Sequence, residues 1–247
     1  MASKLVAIIA GVGAGTGASV ARKFAASYPV VLLARNPDNY ESLVKEINGN
    51  GGRAIGVSAD VSDQNSLKNA FSQVEKEFGS GVGCTAAIFN ASGKFTRKPF
   101  LEVTEDEFIS NYNVSGKGGF LFAQASLPLL LRSLDHNPSH PPTLIFTGAT
   151  ASMKGSAMFS VFATGKFALR ALSQSLAREF GPKGVHVSHA IIDGVIDIPR
   201  TKEWMKDAGP DAKISADAIA DAYWHLHTQP RSCFTNEIDI RPWVEKW

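Results

Sequence analysis

Six short apolar runs constrain this chain most: Leu5–Ala10, Val30–Ala34, Ala54–Ser58, Ala86–Asn90, Leu144–Thr147 and Val185–Ile192. None alternates cleanly with polar residues. Strands of that kind are covered on both faces, as in a parallel sheet with helices above and below. Helical patterns lie between them. Leu67, Phe71, Val74 and Phe78 recur at helical spacing. Thr104-Glu-Asp-Glu107 reads as a capping box, a hydroxyl and a carboxylate satisfying each other's orphan backbone donors. The helix it opens is expected to run towards Leu131, with Pro128 kinking or ending it. Asp135-His-Asn-Pro-Ser-His-Pro-Pro142 reads as a surface loop, with His136 and His140 solvated.

Strand and helix alternate without a repeat or a linker. The expected fold is therefore α/β, a Rossmann-type doubly wound parallel sheet of about seven strands, as a single domain over residues 1–247. An apolar fraction of 44% supplies a large core for that fold. A net charge of +2 carries no basic stripe, so no nucleic-acid partner is expected. Cys84 and Cys233 are too few for a disulfide framework, and neither they nor the histidines have metal-ligand spacing. No run approaches the ~18 apolar residues of a membrane span. Glycines interrupt the first run at once, so it reads as a buried strand rather than a leader, and the expected location is cytoplasmic.

Gly11-Val-Gly-Ala-Gly-Thr-Gly17 follows the first strand and opens the first helix. Glycines let backbone amides approach a pyrophosphate, and a helix N-terminus favours the anion. A plain tight turn would not call for so many. The end of the second strand then bears on the cofactor. A carboxylate there would hold a ribose 2′-hydroxyl and repel a 2′-phosphate. This chain has Ala34-Arg35-Asn36 instead, and Arg35 can pair with a phosphate, so NADP(H) is expected over NAD(H).

The spacing Gly11-x-x-x-Gly15-x-Gly17, with Asp60-Val61, Asn90-Ala-Ser-Gly93, Asn113 and Lys166 in order, resembles the short-chain dehydrogenase/reductase family over nearly the whole chain. That resemblance implies that Gly11, Gly13, Gly15, Thr16 and Gly17 cradle the pyrophosphate. It places Asp60 and Val61 at the adenine, and Asn90 and Ala91 in the turn after the fourth strand. Lys166 would hold the nicotinamide ribose, Asn113 would support a water relay, and Ile196 would offer backbone groups to the nicotinamide. The substrate site would lie at the C-terminal ends of the strands.

The same resemblance exposes departures. The family's Tyr-x-x-x-Lys reads Phe162-Ala-Thr-Gly-Lys166 here. Tyr28, Tyr40, Tyr112 and Tyr223 are the only tyrosines, and none has a lysine four residues on. The family's serine falls on Ala149, with Thr147, Thr150 and Ser152 nearby. After the sixth strand, Asp193-Gly-Val-Ile-Asp-Ile198 replaces Pro-Gly and a later threonine. Asp193 is read either as a turn cap or as a buried carboxyl that donates a proton. Gly165 inside a helix suggests close packing there.

Three functions follow. One is an NADPH-dependent reductase with altered proton chemistry, acting on a small carbonyl, imine or conjugated substrate. The second is a non-redox isomerase or cyclase that keeps the pocket. The third is an inactive NADP(H)-binding regulator. A homodimer or homotetramer is expected, through the long helix near Phe108–Leu131 and the helix from about Ser160 to Phe180. Trp243 and Trp247 would add to a tetramer contact.

Overall fold

A computed structural model of the chain describes residues 4–246. Its main sheet has seven strands: β1 (Leu5–Ala10), β2 (Val30–Ala34), β3 (Ala54–Ser58), β4 (Gly83–Phe89), β5 (Thr143–Thr147), β6 (His186–Ile192) and β9 (Glu237–Ile240). Their order is β3-β2-β1-β4-β5-β6-β9, and every pairing is parallel. The six apolar runs are the first six of these strands. β9 was not among them, because Glu237-Ile-Asp-Ile240 alternates as an edge strand does.

Alternate side chains of each strand feed two cores. Val6, Ile8, Val187 and Phe146 face helices α3 (Gln64–Phe78), α5 (Gly118–Ser133) and α6 (Ser160–Phe180). Ala7, Ile9, Leu32 and Ala190 face α1 (Thr16–Ala25), α2 (Glu41–Gly49) and α7 (Ala216–His227). Phe24 and Tyr223 fill the second core with no exposed surface. Burying a ring of that size contributes about 3 kcal/mol.

The Thr104 capping box is formed, and it opens α4 (Glu105–Tyr112). The long helix is interrupted earlier than expected. A π-turn over Asn113–Lys117 separates α4 from α5, while Pro128 lies inside α5 without ending it. The π-turn adds a residue to one turn and re-aims the side chains around it. The loop after α5 lies at the surface, but neither histidine is simply solvated: both are half-buried, and His136 Nε2 is 2.9 Å from the Gly81 carbonyl oxygen. His140 packs edge-on to Trp224 and His227.

A two-stranded sheet of β7 (Ile196–Asp197) and β8 (Ile214–Ser215) projects beyond the C-terminal end of β6. The chain between β7 and β8 is tethered at its base. The Lys213 ammonium donates to the carbonyls of Thr201 at 2.8 Å and Lys202 at 3.1 Å. The Thr201 hydroxyl donates to the Ile196 carbonyl. Among the described residues no helix is long and apolar enough to cross a membrane. Trp247 lies outside the described residues.

Candidate active site

The chain leaves β1 for β2 on one side and later returns to β4 on the other. The crevice at the carboxyl end of β1 is therefore where such sheets take ligands. The glycine-rich turn sits there, and its glycines are required for different reasons. Gly11 has φ +88°, and a Cβ on it would lie 2.4 Å from the Ala91 amide nitrogen. A Cβ on Gly17 would meet the Gly11 carbonyl oxygen at 2.7 Å. Gly15 is overlain by the Ile198 side chain. Gly13 alone faces open space. Asn90 Nδ2 locks the turn by donating to the Gly11 carbonyl at 2.9 Å.

The N-terminus of α1 has no side-chain cap and no acidic residue in its first turn. By contrast Asp63, Thr104 and Ser215 cap α3, α4 and α7. The first amides of α1 are left open behind a glycine cradle, an arrangement that fits a bound pyrophosphate. Arg35 stands exposed just past β2, without an ion-pair partner among the described residues. Asp60 closes the other side of this region. Burial raises its pKa, but the Ser62 hydroxyl and amide, and the charges of Arg35 and Lys117, outweigh that and hold it below the usual carboxylate range. Val61 packs beneath it, close to Gly118.

Lys166 is 2% exposed, and its ammonium donates to the Thr147 carbonyl at 2.8 Å. Burial lowers its pKa to about 8. Among the described residues no carboxylate pairs with it. The Phe162 ring centroid is 5.8 Å from that ammonium.

Gly165 lets α6 press against the π-turn, as its position suggested. A Cβ there would lie 3.0 Å from Ser115 Cβ and 3.2 Å from Asn111 Oδ1. Hence Asn111 and Ser115 are the polar residues that face the Lys166 helix. Asn113 is half-buried in the π-turn, and its side chain makes no hydrogen bond. Asn111 Nδ2 donates to the Lys94 carbonyl at 2.6 Å, while its Oδ1 is buried without a partner. Ser115 Oγ accepts from the Gly93 amide at 3.1 Å. Sequence reading passed over both. The signal available was the spacing Asn111-x-x-x-Ser115, which puts two polar groups on one helical face.

Asp193 accepts a hydrogen bond from the Thr150 hydroxyl and lies 3.2 Å from the Arg241 guanidinium, which also binds Asp239. These contacts join the turn after β6 to Thr150 and to the chain just past β9. Ile196 pairs with Ile214 in the small sheet. Beneath α6 lies a further polar chain. Arg170 grips Glu237 at 2.7 and 2.8 Å, and Glu237 meets His189 Nδ1 at 3.2 Å. Among the described residues no cluster of His, Cys, Asp or Glu could hold a metal.

Residues 5–209 match the short chain dehydrogenase family. An uncharacterized oxidoreductase of Staphylococcus epidermidis is 28% identical over 238 residues, covering 96% of each chain. The crystal structure of a short-chain dehydrogenase from Rhodopseudomonas palustris is 33% identical, with a TM-score of 0.79 over 98% of this chain and 100% of that one. A metagenomic short-chain oxidoreductase in complex with NADP has a TM-score of 0.79 at 23% identity, over 98% of this chain and 99% of that one.

Proposed function

Because the chain belongs to the short-chain dehydrogenase family, we propose that it is an NADPH-dependent reductase whose proton chemistry departs from that of the family. One observation carries the reading. Lys166 is a buried ammonium without a carboxylate among the described residues, held on the carbonyl of Thr147 at the carboxyl end of β5. A buried unpaired cation lowers stability, and no packing need requires it. Ribose hydroxyls and the negative charge of a nucleotide would satisfy it. The cofactor would lie with its pyrophosphate on Gly13, Gly15 and Thr16, its adenine beside Asp60 and Val61, and its nicotinamide near Ile196. Arg35 would take the 2′-phosphate. A nucleotide of that type supplies hydride when bound.

The residues of the chain then divide the remaining work. Lys166 orients the ribose. Asn111 offers a free acceptor towards α6 for a water, a role the family resemblance had placed on Asn113. Asp193 holds the Thr150 oxygen in place rather than donating a proton itself. Phe162 brings no proton, so substrates that need little acid are favoured: an imine or a conjugated carbonyl.

The same Phe162 favours a second reading, a protein that binds NADP(H) without turnover. The test is titration with NADPH and NADH by nucleotide fluorescence, followed by absorbance with ketones, imines and enones. Tighter NADPH binding with consumption by one class is expected. Tighter NADH binding would overturn the cofactor assignment. Binding without consumption by any class would leave the second reading.

A further inference from the structure

Four aromatic rings from three separate segments meet around Phe95, and one of them, Phe162, lies 5.8 Å from the Lys166 ammonium. Phe95 comes from the loop after β4, Phe159 and Phe162 from the start of α6, and Trp204 from the segment between β7 and β8. Phe95 is the hub. Its centroid is 5.4 Å from Phe159 at 60°, 5.4 Å from Phe162 at 67°, and 6.4 Å from Trp204 at 50°. The group does not behave as core. Phe95 is 47% exposed and Trp204 is 45% exposed. A backbone hydrogen bond from the Lys98 amide to the Met158 carbonyl, at 2.8 Å, ties the Phe95 loop to the chain that leads into α6. The wall is thus braced by backbone, while Phe95 and Trp204 stay about half exposed. Large exposed rings beside a reaction centre mark a surface that a ligand covers.

We infer that this wall is the binding site for a planar, conjugated carbonyl ring, a quinone or a close relative, which stacks on Phe95 and Trp204 over Lys166. The inference rests on the reductase reading above. Tilted rings 5.4 to 6.4 Å apart leave both edges and faces for a further ring, which offset or edge-to-face contact favours.

The acid chemistry points to the same class. Hydride added to an isolated ketone leaves an alkoxide, the conjugate base of an acid about as weak as water. That product wants a proton donor in place. Hydride added to a quinone leaves an aryloxide, whose conjugate acid titrates near about 10, as a phenol does. Solvent water suffices for it. The overall change balances as one hydride from the reduced nicotinamide nucleotide, which is oxidised, and one proton from water, with the quinone reduced to the hydroquinone. Phe162 has no proton to give. That defect is harmless for this class and severe for an aliphatic ketone.

The test separates binding from turnover. The protein is loaded with oxidised NADP, which cannot reduce the ligand, and titrated with phenanthrenequinone or with its fully saturated tricyclic ketone. Calorimetry and Trp204 fluorescence are the readouts, with Trp204→Leu isolating that signal. The quinone is expected to bind about tenfold tighter than the saturated ketone, and Phe95→Leu and Trp204→Leu each to weaken it about tenfold. Equal binding of the two ligands, or no effect of both substitutions, overturns the inference even where NADPH reduces other substrates. A Trp204 signal that follows protein concentration and ignores the quinone overturns it too, by assigning the wall to a second copy of the chain. Quinone binding that needs Phe95 and Trp204, without NADPH consumption, upholds the ring site and removes the reductase reading instead.

Discussion

The Lys166 ammonium lies 5.8 Å from the centroid of the Phe162 ring, one turn away on α6. The two side chains share a helical face, so a hydroxyl on that ring would stand beside the ammonium. Phe162→Tyr with Ala149→Ser is expected to raise aliphatic ketone reduction by about 100-fold, the lower range for a positioned general acid. The rate of NADPH loss with a small cyclic ketone measures it. A folded double variant that binds NADPH and stays at the original rate would place the missing acid elsewhere.

Lys166→Met should act on stability and binding in opposite directions. Burial lowers the Lys166 pKa from 10.5 to about 8. Between those values the unfolded chain holds the proton and the folded chain does not, so stability rises with pH across the window. Below about pH 8 the folded protein carries the full burden of a buried charge, about 3 kcal/mol at about 1.4 kcal/mol per pKa unit. Removing the charge is expected to raise the urea midpoint at pH 7 and to weaken NADPH binding at least tenfold. In the parent protein NADPH affinity should fall as pH rises through about 8. Affinity that is flat in pH, or unchanged by the substitution, would break the link between Lys166 and the nucleotide.

Two glycines of the turn predict different failures. Gly11→Ala puts a Cβ into the Ala91 backbone at a φ of +88°, and should cost about 3 kcal/mol or more of stability. Gly13 has open space around it, so Gly13→Ala should leave the melting temperature within a degree or two, a change of about 0.5 kcal/mol. Its methyl would nevertheless stand in the cradle and lower NADPH affinity. Full affinity in a folded Gly13→Ala protein would argue that the pyrophosphate lies elsewhere.

Acid should unfold this protein early. Burial lowers the pKa of His189 to about 4 and of His227 to about 3, and lowers that of His186 as well. Unfolded histidines take their protons near 6.5, so stability falls as pH drops from about 6.5 towards 4. His189→Asn should flatten that slope by about 1.4 kcal/mol per pH unit, one proton's worth. Urea unfolding at several pH values reads it directly. An unchanged slope would mean that His189 already carries its proton at neutral pH, paired with Glu237.

The fold was legible because β1, β2 and β4 are buried on both faces and therefore mostly apolar without alternation. The glycine turn was legible for a related reason, since backbone crowding at Gly11 and Gly17 excludes any side chain. The π-turn was not. Nothing in Asn113-Val-Ser-Gly-Lys117 announces an extra residue in a helical turn, so the placing of Asn111 and Ser115 against Gly165 could not be read from it. The aromatic wall was equally hidden, because Phe95, Phe162 and Trp204 are far apart in sequence and meet only through the loops beyond the strands.

The remaining expectation concerns assembly. Ile109, Tyr112, Phe120 and Phe167 are large, exposed apolar residues on α4, α5 and α6. Leu169 faces the core of its own subunit, and Leu172 and Leu176 pack against that core, so the leucines of α6 serve the fold before any contact surface. The aromatic residues do offer one: Phe120 is 45% exposed on α5, and Phe167 is 41% exposed on α6. A two-fold axis along these helices would bury them against their own copies, since a closed dimer uses the same patch twice. Light scattering at micromolar concentration should therefore report a dimer or a pair of dimers. Phe120→Glu with Phe167→Glu should shift it to monomer, because each buried carboxylate would lack a partner. A stable monomer in the parent protein would sink the assembly. A parent oligomer that survives both substitutions would move the contact to another face.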